Sequence, residues 1–316
     1  MLIKKPNFWD EDRLSFFSAI LIPLTIVLKI AVFFKQKLTR EIKYNLPVIC
    51  VGNIYIGGTG KTPLCIEITK ILKEIGKNPV IIKKFYKEHE DEHLLTKHKI
   101  REMIVEKTRK KALVKAIENN YDLAVLDDGL QDASFYKDLK ISCFTNTQWL
   151  GNNMTLPSGP LRETLSAVKK HHIAVINCQT DKNRKNIKEE LLKINNNIDV
   201  YFSRYEVDKK NIDKFKNKKF LAFAGIGNPE NFFNLLSSLS FLIEKKIPYP
   251  DHYKYSQDEI KKLISIAEMN NLEIITTEKD YYRLKKFDIK KINFLPVNLL
   301  IENKENFTKN IIKFIK

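Results

Sequence analysis

The 316-residue chain is short of acid, cysteine and long apolar runs. Its 38 Asp and Glu are outnumbered by 55 Lys and Arg, a formal net charge of +17. That imbalance favours an anionic partner: a phosphorylated substrate, an anionic membrane surface or a nucleic acid. Only four cysteines occur, at Cys50, Cys65, Cys143 and Cys178, and none has the paired spacing of a zinc site or a disulfide framework. Such usage fits a reducing compartment. Internal repeats and low-complexity linkers are missing beyond Asn/Lys-rich stretches. No basic-aromatic patch of the kind that grips single strands occurs either, so nucleic acid has charge alone in its favour. The remaining composition, 43% hydrophobic and 29% charged, is that of a folded chain long enough for a full core and two domains.

A single long apolar run is present, LSFFSAILIPLTIVLKIAVFF over residues 14–34, broken by Pro23 and Lys29. Its length is near the roughly twenty residues that span a bilayer. The proline, the lysine and the basic cluster Lys35, Lys37, Arg40 and Lys43 argue instead for a helix lying on an anionic surface. An apolar helix packed on the protein's own core is the alternative. Acidic residues before the run, with no small-residue cleavage site after it, argue against a signal peptide.

Four of the ten glycines fall in PVICVGNIYIGGTGKTP, from Pro47 to Pro63. A short apolar strand leads into Gly57, Gly58 and Gly60, then Lys61 and Thr62 open a helix with Leu64, Ile68, Ile71 and Leu72 on one side. This is a phosphate-binding loop. Glycines let backbone N–H groups approach a polyphosphate, and the helix adds its positive end. Residues Ile56, Gly57, Gly58, Thr59, Gly60, Lys61, Thr62 and Pro63 would cradle ATP, with Lys61 on the β and γ phosphates and Thr62 on Mg²⁺. Tyr55 stands where the usual spacing wants a glycine, so the loop is a variant.

Downstream, LDDGLQD sets Asp127 and Asp128 at the end of an apolar strand, where a phosphate-loop enzyme holds its magnesium. The cluster Glu88, Glu90, Asp91 and Glu92 with His89 and His93 reads, alone, as a solvated helix end. In LPSGPLRE, a rigid loop delivers Arg162, a forked donor suited to a transferring phosphoryl group or to a surface ion pair. His171 and His172 read as structural. After a polar run, a second block begins near Val200 and contains AGIGNPENFF, YPDHYKYS with His252, and TTEKD. Strand ends of an open α/β sheet bind ligands, so the last two segments are candidates to face the nucleotide. A strand from Asn293 to Leu300 is expected to pair with the linker and send the last helix back to the core.

GNIYIGGTGKTP, LDDGLQD, LPSGPLRE, AGIGNPENFF, PDHYKYS and TTEKD stand in the order found in tetraacyldisaccharide 4'-kinases, the lipid A 4'-kinases of Gram-negative bacteria, which this chain resembles over most of its length. The resemblance implies ATP-dependent phosphorylation of the 4'-hydroxyl of an acylated glucosamine disaccharide 1-phosphate at the cytoplasmic face of the inner membrane, with no nucleic-acid or obligate protein partner. It implies Asp91 as the base, His252 as its orienting partner, Arg162 and Lys61 on the transferring phosphoryl group, and Thr62, Asp127, Asp128 and Glu92 around Mg²⁺. The fold expected is α/β: a three-layer phosphate-loop core over 46–199, a smaller α/β domain over 200–316, and a membrane-associated helix within 1–45. Where the family usually carries Ser-Arg-Gly-Tyr-Gly after the second strand, Lys83, Lys84, Phe85 and Tyr86 stand here. Glu90, His93, Leu130 and Asp132 also depart from the family pattern. A membrane-associated nucleotide switch and a nucleic-acid-binding ATPase are the competing classes; the first leaves LPSGPLRE and PDHYKYS unexplained.

Overall fold

The computed structural model describes residues 6–11, 15–86, 90–178, 180–251, 253–287 and 289–315, the side chains at 90–92 excepted. The chain opens with helices α1 (Phe16–Ile20) and α2 (Ile22–Leu38). Strands and helices then alternate: β1 (Val48–Gly52), α3 (Lys61–Glu74), β2 (Pro79–Lys84), α4 (Glu90–Lys99), β3 (Met103–Glu106), α5 (Arg109–Glu118) and β4 (Leu123–Asp127). Strands β5 (Leu139–Thr145) and β6 (Ile173–Asn177) precede α6 (Arg184–Ile194) and β7 (Asp199–Glu206). The rest comprises α7 (Lys209–Phe215), β8 (Lys219–Ala224), α8 (Pro229–Ser238), β9 (Leu242–Pro248), α9 (Gln257–Met269), β10 (Glu273–Thr277), α10 (Glu278–Leu284), β11 (Ile292–Leu295), β12 (Asn298–Ile301) and α11 (Lys304–Phe314).

Two compact units result. The first is Met1–Phe85, Glu102–Arg204 and Leu299–Lys316; the second is Tyr86–Arg101 and Tyr205–Asn298. The chain crosses between units more often than three consecutive blocks would require. Residues 86–101, expected within the core block, group with the second unit, while 299–316 group with the first.

The first unit is built on an eight-stranded sheet ordered β12-β7-β6-β5-β1-β4-β2-β3. Strands β1 and β4 are buried at every position, because both sheet faces are covered, which is why their sequences read as unbroken apolar runs. β1 lies between β4 and β5 and pairs parallel with both. After β4 the chain therefore passes to the other side of β1, which makes a topological switch point; ligands of open α/β sheets bind at the strand carboxyl ends there. The glycine loop leaves β1 at that end, and Asp127 closes β4 there, opposite Val51.

The apolar N-terminal run is divided at Leu21, the residue that ends α1 and caps α2, with Pro23 in the first turn of α2, where a missing N–H costs nothing. Its burial is inverted. Ser18 and Thr25 are buried, while Phe16, Phe17 and Ile20 are 75%, 64% and 59% exposed. Thr25 Oγ1 lies 2.8 Å from Ser158 Oγ and accepts the Ser158 N–H, and Asn152 Nδ2 donates to Ser18 Oγ. Polar side chains thus seat α1 and α2 on the 152–158 loop, and their large apolar side chains do not pack on the protein's own core. Among the described residues no helix is long and apolar enough to cross a membrane.

The second unit carries a parallel sheet ordered β11-β10-β8-β9. The single strand expected over 293–300 is two strands, β11 in this sheet and β12 in the larger one. Pro296 lies between them and has no N–H to continue a ladder. Three of the sequence motifs meet at Asp280 of TTEKD, which is fully buried. Its carboxylate accepts from the N–H of Gly225, the hydroxyls of Tyr255 and Thr277, and Arg283. A buried charge needs that many donors, so Asp280 clasps AGIGN, YKYS and TTEKD together.

Candidate active site

Gly57 and Gly60 adopt φ of +122° and +89°, conformations closed to most side chains, and Gly60 caps α3 at its N-terminus. The first-turn N–H groups of α3, with no partner inside the helix, and its dipole mark this end for an anion. Asn53, fully buried after β1, fixes the loop from below by donating through Nδ2 to Thr59 Oγ1 at 2.9 Å and to the Gly57 carbonyl at 3.3 Å. Lys61 Nζ reaches the Gly57 carbonyl at 3.5 Å. The Ile56 N–H donates to the Pro160 carbonyl and the Arg162 N–H to the Ile54 carbonyl, so the LPSGPLRE segment is strapped along the entry to the loop. Tyr55, the residue that breaks the usual spacing, is 1% exposed in the core cluster with Leu150 and Leu161, and its hydroxyl donates to Asp10. The substitution of tyrosine for glycine anchors this strap.

Thr62, in the first turn of α3, donates its hydroxyl to Asp127 Oδ2 at 2.6 Å. Magnesium takes few protein ligands and completes its shell with waters and phosphates. A hydroxyl and a carboxylate oxygen side by side at a phosphate loop fit that ion, with Asp128 next in sequence as a further hard donor. Among the described residues no cluster of three or more His, Cys, Asp or Glu could hold a metal, so the fit is of this sparse kind. Asp128 itself has a positive φ of 62°, which turns its side chain out of the strand direction. Arg162 Nη1 donates to both its carboxylate oxygens, at 2.7 and 2.9 Å. Burial alone would raise the Asp128 pKa, but Lys61 and Arg162 outweigh it and hold the carboxyl below its ordinary value. Arg162, expected to face a transferring phosphoryl group, is here an ion-pair partner of Asp128.

The remaining expected residues divide differently. Asp91 and Glu92 lie on α4, in the second unit, and their side chains fall outside the described residues, as does His252. Three residues emerge that motif reading passed over. Gln131 donates to the Asn53 carbonyl and to Glu163, tying the DDGLQ turn to the arginine loop. Asn53 lies within GNIYIGGTGKTP, beside the glycines, lysine and threonine whose chemistry marks that motif. Lys83, at the end of β2, is buried against Asp127 and Thr62, where a lysine in an apolar strand was the available hint. All four cysteines are buried and free.

The family model for tetraacyldisaccharide-1-P 4'-kinase (LpxK) matches residues 17–316. The chain is 40% identical over 315 residues to the tetraacyldisaccharide 4'-kinase of Pelagibacter ubique (strain HTCC1062), covering 99% of this chain and 98% of that one. It is 31% identical to the enzyme of the same name from Rickettsia akari (strain Hartford), covering 98% and 96%. The crystal structure described as the "apo" form of LpxK from Aquifex aeolicus in complex with ATP superimposes with a TM-score of 0.72 at 22% identity, over 95% of this chain and 99% of that one, and shares the fold. The chain belongs to the tetraacyldisaccharide-1-P 4'-kinase family.

Proposed function

We infer that this protein transfers the γ-phosphoryl group of ATP to the 4'-hydroxyl of tetraacyldisaccharide 1-phosphate, giving the bis-phosphorylated lipid A precursor. The observation that carries the reading is family membership over residues 17–316 combined with a phosphate loop whose Thr62 and Asp127 oxygens adjoin. A nucleotide switch without a lipid acceptor leaves that membership unexplained.

Phosphoryl transfer needs positioning and charge neutralisation more than covalent chemistry. The loop backbone from Ile56 to Pro63 and the N-terminus of α3 bind the phosphates, with Lys61 beside them. Thr62, Asp127 and Asp128 would hold magnesium, with Glu92 as a further ligand, and the ion would supply charge neutralisation on the phosphate oxygens. Arg162 keeps Asp128 ionised and stands ready to exchange that partner for a phosphoryl oxygen. Asp91 takes the proton of the sugar hydroxyl, and His252 orients it. The exposed apolar face of α1 and α2, with the basic cluster from Lys35 to Lys43, supports residence on an anionic surface, the cytoplasmic face of the inner membrane, where an acylated substrate resides.

Purified protein incubated in detergent with labelled ATP and tetraacyldisaccharide 1-phosphate is expected to label the lipid. Asp91→Ala should lower turnover on the order of a hundredfold or more, as loss of a general base does, with ATP affinity largely kept. Lys61→Ala should damage both. ATP hydrolysis without label on the lipid would remove the kinase reading.

A further inference from the structure

Lys83 has no part in the chemistry so far. Its side chain is 6% exposed, its Nζ lies 2.9 Å from Asp127 Oδ2 and 3.2 Å from Thr62 Oγ1, and the Thr62 hydroxyl donates to the same Asp127 oxygen. A cation thus sits where the two oxygens suited to magnesium converge. Burying an ammonium is costly unless it is paired, and an aliphatic side chain would fill the end of a buried strand at lower cost. The charge itself therefore needs an account, and the other cations nearby do not supply one: Arg162 is paired with Asp128, and Arg109 with Asp132. Lys61, on the loop side, reaches the Gly57 carbonyl.

We propose that Lys83 is a resident cation of the magnesium pocket, a positioning residue that holds Thr62 and Asp127 in register and lets the protein bind ATP phosphates before a divalent ion arrives. The physical basis is local neutrality. Without a cation between them, Asp127 would present an uncompensated buried charge to an incoming polyphosphate, and like charges in a pocket of low dielectric repel strongly. Lys83 cancels that repulsion. A divalent ion held by the same oxygens would repel the ammonium in turn, and the flexible four-carbon stem of lysine lets it leave Thr62 while remaining beside the phosphates. Arginine, with a rigid planar fork, would keep the charge but follow less freely.

The proposal rests on the nucleotide reading of the glycine loop, and calorimetric titration with ATP separates the two. ATP affinity is measured in excess EDTA and in excess Mg²⁺ for the unsubstituted protein, Lys83→Met and Lys83→Arg. For Lys83→Met, affinity without metal is expected to fall about tenfold or more, the scale of a lost charged hydrogen bond, while affinity with Mg²⁺ changes by less than about threefold. Lys83→Arg should keep most of the metal-free affinity. Because the readout is a ratio of affinities within one protein, a reduced folded fraction in a variant cancels. An unchanged ratio in Lys83→Met overturns the role of Lys83. Absence of ATP binding by the unsubstituted protein in both buffers overturns the nucleotide reading itself, and the proposal with it.

Discussion

His171 precedes β6 with 6% of its surface exposed, and burial, reinforced by the nearby Lys140 cation, pushes its pKa down to about 4 from the ordinary 6.5. His172, which accepts the Lys140 N–H at Nδ1 and stacks on Phe314, is shifted in the same direction. Between about pH 6.5 and 4 the unfolded chain takes up a proton that folded His171 refuses. Stability is therefore fully present above pH 6.5 and is lost as pH falls towards 4, by up to about 3 kcal/mol for a shift of this size. Urea midpoints measured from pH 7.5 to 4.5 should decline, and His171→Gln should flatten the decline. The difference between the two proteins removes the carboxylates from the comparison; parallel curves would mean that folded His171 does take up the proton. Adjacent histidines before an apolar strand were readable as structural from sequence. Lys83 was not readable in this way, because nothing in the string Val-Ile-Ile-Lys-Lys says that Thr62 and Asp127 close over its end.

Among the elements, those with unbroken apolar runs or clear periodicity were the legible ones. β1 and β4 follow from them because burial on both sheet faces dictates their composition. β3, with half-buried Met103, Val105 and Glu106, sends a weaker signal, and the split of 293–300 depends on Pro296 more than on the apolar pattern around it. α1 and α2 defeat the ordinary rule, since their polar Ser18 and Thr25 face inward. Two substitutions separate the consequences. Replacing Phe16, Phe17 and Ile20 together by serine removes exposed apolar surface, so melting temperature should hold while co-sedimentation with anionic lipid vesicles falls. Thr25→Val strips buried Ser158 of its partner and should destabilise by about 1–3 kcal/mol with vesicle binding intact in the folded protein. Unchanged sedimentation of the serine variant would detach this face from the membrane.

For the molecule as a whole, the discontinuous division was the least legible feature, because chain order does not reveal that α4 belongs with α10 or α11 with the large sheet. Lys99 pairs with Glu278, and His98 packs on Tyr282, contacts made across about 180 residues that no local pattern announces. Likewise Phe307 and Ile311 of α11 are fully buried, and Asn306 and Asn310 both donate to the Tyr201 hydroxyl of β7. The chain's two tryptophans make this division measurable. Trp9 donates to the Pro157 carbonyl and Trp149 packs on Phe144, so both report on the first unit. Phe307→Ala, which empties a fully buried site there, should cost about 3–5 kcal/mol and lower the urea midpoint seen by tryptophan fluorescence. Leu236→Ala, in the apolar cluster between α8 and β8, should cost about 2–5 kcal/mol, shifting part of the far-ultraviolet dichroism transition while leaving the fluorescence midpoint in place. Non-coincident probes are the mark of two cooperative units. If both variants move both probes together, the two units unfold as one, and the chain, which crosses between them four times, binds them into a single cooperative fold.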